Sequence, residues 1–102
     1  MTDENYTKHV SEQEAREQCD IADEIVDLLK SSGIGPFKGS HACLRVFMMQ
    51  AAHNAKGHDD KEAFRASVLR VAAGFYDAYA KAERNDAGDL DPADLDELKV
   101  LQ

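Results

Sequence analysis

The chain is 102 residues long, 43% apolar, with a net charge of −8. That length accommodates one domain with a modest core, and the acidic balance argues against direct nucleic-acid binding, whose affinity rests on excess Lys and Arg. No apolar run is long enough to cross a membrane, and with no signal-peptide pattern Cys19 and Cys43 are expected as reduced thiols in a cytoplasmic protein.

The charge is unevenly spread. Residues 1–30 carry nine acids against three bases, residues 31–84 eight bases against five acids, and residues 85–102 six acids against Lys99. Acidic ends at −6 and −5 therefore flank a middle at +3. Such a layout either aids solubility and draws the ends back onto the middle, or forms an acidic surface for a basic partner.

Residues 1–10 are polar and unpatterned, and a flexible tail is expected there. A helix over about 11–30 opens on Ser11 and Glu14, a capping box in which side chains satisfy backbone donors. Ala15, Ala22, Ile25, Val26 and Leu29 form its apolar face, with Ile21 and Leu28 at the edge. Opposite them Glu17, Asp20, Glu24 and Asp27 recur at helical spacing as an acidic ridge. Like charges so placed cost a few tenths of a kcal/mol per pair at most. The ridge is either a solvated face or a docking surface for a Lys/Arg-rich protein.

The stretch from Ser31 to Ser40 reads as a Gly/Ser-rich connection, with Pro36 barring helix continuation. A second helix follows over about 40–56, capped by Ser40. It turns Cys43, Leu44, Phe47, Met48, Ala51 and Ala55 inward. Val46, Met49 and His53 lie outward beside Arg45 and Lys56, as a small contact patch.

A third helix over about 60–84 has Asp59 and Glu62 as its capping pair. Phe64, Val68, Val71, Phe75, Tyr79 and Ala82 share one side, widened by Ala72 and flanked by Leu69 and Tyr76. Ser67, Arg70, Asp77 and Lys81 are assigned to the other side. The apolar side is broad enough for two partner helices, and the region around Leu69 and Tyr76 is a candidate for closure by a second copy in a homodimer. A short helix over about 92–101 is signalled by Asp91 as N-cap, Pro92 at the first helical position and a Leu90–Leu95 staple. No strand alternation is visible. The expected fold is all-α: residues 11–102 form a single small helical bundle of three main helices plus the short C-terminal one.

Chemical motifs are sparse. In the Gly33–Ser40 stretch, Lys38, Gly39 and Ser40 could hold a small anion or nucleotide at a helix start. The order is not that of a P-loop, and an interhelical turn is the preferred explanation. Ala52-His53-Asn54-Ala55-Lys56-Gly57 resembles the core motif of histidine phosphotransfer domains, helical bundles of about this size. That resemblance implies a signalling carrier with His53 phosphorylated and Lys56 assisting, but His58, Asp59 and Asp60 follow where the family continues its helix. The stretch from Glu83 to Asp94 resembles an EF-hand loop that lacks ligand oxygens at several positions. His41, Cys43, His53 and His58 have no zinc-site spacing.

No catalytic residue, cofactor or metal site is therefore expected. The expected function is non-enzymatic: stoichiometric binding of a protein partner with a basic surface, through Glu17, Asp20, Glu24 and Asp27 and through Val46, Met49 and His53. In concrete form it is an inhibitor or regulator of a nucleic-acid-binding protein. Small acidic antagonists of such machinery, phage counter-defence proteins among them, share this size and charge.

Overall fold

The computed structural model describes residues 6–84 and 99–102. In chain order these form strand β1 (Thr7–His9), helix α1 (Glu12–Ser31), helix α2 (Pro36–Asn54), a 3-10 turn (Ala55–Gly57), helix α3 (Lys61–Arg84) and strand β2 (Lys99–Leu101). The fold is all-α in the main, with three long helices and one small antiparallel ladder.

Local chemistry explains the helix ends. The Ser11 hydroxyl accepts the Glu14 N–H at 3.1 Å, so the expected capping box opens α1. Gly33 closes it at φ 71°, a left-handed conformation that suits glycine. The Ile34 N–H then returns to the Leu29 carbonyl at 2.9 Å, which satisfies a carbonyl the helix leaves over.

Helix α2 begins at Pro36, not at Ser40 as expected from the sequence. Proline bars a helix from continuing into it but is well suited to start one, because its missing N–H lies where no intrahelical acceptor exists. The connection therefore shrinks to residues 32–35. Gly39 is buried in the first turns of α2, where an added Cβ would lie 3.0 Å from Leu29 Cδ1.

Helix α3 is capped by Asp60, one residue later than the expected Asp59: its carboxylate accepts the Ala63 N–H at 3.0 Å. Lys61 Nζ donates to the carbonyls of Ala55 and His58, fixing the turn before α3. Asp60→Ala is expected to cost about 1 kcal/mol in urea denaturation, whereas Asp59→Ala should leave stability within experimental error.

The chain ends depart most from expectation. Residues 7–9, placed in a flexible tail, pair with residues 99–101, placed in a terminal helix. The register joins Thr7 to Leu101, Lys8 to Val100 and His9 to Lys99. The Gln102 N–H extends the ladder to the Tyr6 carbonyl at 3.0 Å. The rest of the proposed C-terminal helix, and the Leu90–Leu95 staple, lie outside the described residues.

Successive strand residues face opposite ways, and β2 uses both. Val100 packs on a cluster of Val10, Ala15 and Ala82, and Leu101 on a second cluster of Ala51, Phe64 and Val68. Tyr6, His58 and Phe64 form an aromatic group over the second cluster, with His58 stacked on Phe64 at 4.4 Å between ring centroids. Ser67, assigned to the polar side of α3, is 0% exposed. It lies only about 60° from Phe64 on a helical wheel, and Tyr6 approaches that flank. Its hydroxyl accepts the Tyr6 N–H at 3.3 Å and an Arg70 guanidinium N–H at 2.8 Å, so burial leaves no polar atom unpaired.

The spine role of α3 holds, but the other two helices reach its clusters only through their ends. Helix α1 contributes Ala15 and Cys19, α2 contributes Phe47 and Ala51, and the 3-10 turn contributes Ala55. Beyond those ends Ile21, Ile25, Val26, Leu28, Phe37 and Leu44 are all exposed.

Candidate interaction surface

Glu17, Asp20, Glu24 and Asp27 lie in the middle of α1, and all four are exposed. Among the described residues, no ion pair engages any of them. Arg16 pairs instead with Glu12 at 2.6 Å, one turn earlier. The Gln13 side-chain amide donates to Glu17 at 3.3 Å, a neutral contact that leaves the charge in place. Ridge charge is thus presented to solvent unneutralised. Exposed Ile21 and Leu28 run along one edge of the ridge, so charge and apolar surface sit side by side on one helix.

On α2, Val46, Met49 and His53 are exposed as expected, Met49 by 70%. They occupy a different helix from the ridge. Helix α2 ends at Asn54, one residue after His53, and Lys56 lies in the following 3-10 turn. A histidine phosphotransfer motif needs both residues on one continuous helix face. Here the change of helix type breaks that register.

Lys38, Gly39 and Ser40 form no loop. The Gly39 N–H donates to the Gly35 carbonyl at 2.9 Å, and the Ser40 hydroxyl to the Pro36 carbonyl at 2.7 Å. Two groups that an anion would need are committed within the helix, and Lys38 is left as an exposed charge. His41 lies tilted against Phe37 at 4.3 Å between ring centroids. His58 belongs to the aromatic group on α3. Among the described residues, no three of His, Cys, Asp and Glu gather where they could hold a metal ion. The calcium-like stretch is described only at Glu83 and Arg84, within α3. No described helix is long and apolar enough to cross a membrane.

Among the described residues, an open groove runs between α1 and α2, which sequence patterning did not reveal. It has a volume of about 540 Å³ and is walled by Ala22, Ile25, Val26, Leu29, Ile34 and Cys43. A second groove of similar volume lies between α2, α3 and β2, walled by Leu44, Phe47, Val71 and Phe75, and meets the first at Cys43. The hydrophobic period gave away which residues are apolar. What covers them depends on where α1 and α2 sit relative to α3, which no local pattern encodes.

No protein-family model, curated protein or solved structure matches the chain.

Proposed function

We propose that the protein is a non-enzymatic interaction protein that binds a basic macromolecular partner through the acidic side of α1. The observation that carries this reading is the exposed row Glu17, Asp20, Glu24 and Asp27, none of them ion-paired among the described residues. The row spans about 15 Å along the helix axis, an average of about 5 Å between charges. That spacing is of the same order as the ~3.4 Å between successive charges on one strand of duplex nucleic acid. A Lys/Arg surface built for phosphates can therefore accept the row as a substitute.

On this reading the protein inhibits or regulates a nucleic-acid-binding protein by occupying its basic surface. Exposed Ile21 and Leu28 beside the ridge supply apolar contact that nucleic acid lacks, and so favour a protein over a bare polyanion. Val46, Met49 and His53 are a second contact patch on the neighbouring helix.

The test is affinity capture from native lysate with the wild type and with a variant carrying Glu17→Lys, Asp20→Lys, Glu24→Lys and Asp27→Lys. All four sites are exposed, so the variant should keep its helicity. The wild type should retain a basic nucleic-acid-binding protein that the variant does not. Equal capture by both proteins would remove the ridge from the binding site.

A further inference from the structure

We propose that the groove between the C-terminal half of α2 and the N-terminal half of α3 binds an acidic amphipathic helix of a partner protein. Its volume is about 420 Å³. Ala51, Phe64 and Val68, all buried, make its floor, and Met48 and Leu69, 37% and 49% exposed, stand as its walls. Lys61 to Leu69 spans about 12 Å of α3 at about 1.5 Å per residue. A docked helix covers about 10.5 Å from i to i+7, so its apolar anchors at i, i+4 and i+7 fit that length. Open walls suit a helix laid along them better than a small molecule, which needs a pocket that encloses most of its surface.

Charge complementarity identifies the occupant. Lys61 and Arg65, one helical turn apart, line the α3 side, and no carboxylate lines the groove among the described residues. The carbonyls of Ala55 and His58 hold Lys61 Nζ in place without neutralising it. Arg65 is exposed and forms no ion pair among the described residues. Asp60 is committed to the cap of α3, and exposed Asp59 and Glu62 do not line the groove. On the other side, α2 contains no acidic residue from Pro36 to Asn54. Its exposed Arg45 lies within about 20° of the groove residue Ala52 on a helical wheel. Glutamates one turn apart on a docked helix would face Lys61 and Arg65 at the same spacing. The apolar floor favours such a helix over nucleic acid, whose charged backbone leaves that floor uncovered. The groove is opposite in charge to the ridge of α1 and shares no residue with it.

The test is fluorescence anisotropy with labelled synthetic helical peptides of about 15 residues. Two carry leucine at i, i+4 and i+7, one with glutamate and the other with lysine at the flanking positions. A third keeps the glutamates and has serine in place of leucine. The wild type should bind the acidic leucine peptide at least about tenfold more tightly than either of the others, and added salt should weaken that binding. Arg65→Glu and Leu69→Ser replace exposed side chains and should spare the fold. Each should weaken the acidic leucine peptide at least about tenfold.

A wild type that binds none of the peptides, or the acidic and basic ones equally, overturns the proposal, whether the groove is closed within the chain or takes another occupant. So does binding that Arg65→Glu and Leu69→Ser leave unchanged, or that the serine peptide matches. A dimer in sedimentation velocity that Leu69→Ser dissociates would give the groove to a second copy and overturn it equally. Should the variants unfold, amide chemical shifts of the wild type decide. Shifts induced by the acidic leucine peptide at Met48, Ala52, Arg65 and Leu69 support the groove, and shifts that spare those residues overturn it.

Discussion

Replacing Phe64 with alanine is expected to cost about 3–5 kcal/mol, the largest loss from any single side chain. Phe64 is 2% exposed and is shared by two sets of contacts. It fills the cluster with Ala51 and Val68, and it carries the rings of His58 and Tyr6. Its removal leaves a cavity under the aromatic group, and Ala51 beside it is too small to fill the space. The total stability expected for a chain of this length is about 5–15 kcal/mol. With α1 and α2 engaging the clusters only through their ends, the lower part of that range applies. Phe64→Ala should therefore bring the chain close to unfolding at room temperature. Urea denaturation followed by far-UV circular dichroism, at fixed concentration, measures the loss. A cost below about 1 kcal/mol would mean that the core lies elsewhere.

Deleting residues 99–102 should destabilise nearly as much, by about 3 kcal/mol. Complete burial of a Val or Leu side chain contributes about 1.5–3 kcal/mol, and Val100 and Leu101 are each partly buried. The deletion also removes the β1 ladder and the 2.8 Å bond from the Gln102 amide to the Thr7 carbonyl. The conformational entropy regained by four freed residues offsets part of this loss. The effect should spread beyond the deletion, because Val100 and Leu101 close different clusters. Amide exchange should accelerate around both Ala82 and Val68. Acceleration confined to residues 6–10 would show that β2 serves only its partner strand.

What could be read from the sequence follows the range of the forces involved. Helices α1 and α3 were legible because their signals are local: the Ser11–Glu14 box, the 3.6-residue apolar period and the acidic ridge all act within a turn or two. The start of α2 was displaced because Pro36 carries two meanings, stopping one helix and starting another, and only the second applies. The cap of α3 slipped by one residue because Asp59 and Asp60 are chemically alike. The ladder was hidden for a different reason. Each strand is three residues long, too short for alternation to register, and its partner lies at least 90 residues away. The same long-range approach buries Ser67, which looked polar and outward by type alone.

The site divides in the same way. The exposure of Glu17, Asp20, Glu24 and Asp27 follows from helix geometry, and Val46 and Met49 are outward for the same reason. The Lys38–Ser40 stretch failed as a loop because helix α2 reaches it, spending the Gly39 N–H and the Ser40 hydroxyl on its own carbonyls. The groove among the described residues was illegible because an apolar stripe states what must be buried and says nothing of what buries it. Helix α1 thus carries an exposed acidic side and, across it, an apolar side exposed at Ile25 and Val26.

The most direct measurement of the central claim is calorimetric titration of the purified protein with its captured partner at about 50 and 200 mM salt. The expected result is binding that weakens at least about tenfold over that interval, as screening removes the attraction between ridge and Lys/Arg surface. The variant with lysine at positions 17, 20, 24 and 27 should give no heat. Affinity that is indifferent to salt, or retained in full by that variant, would contradict the assignment of the acidic ridge as the binding surface.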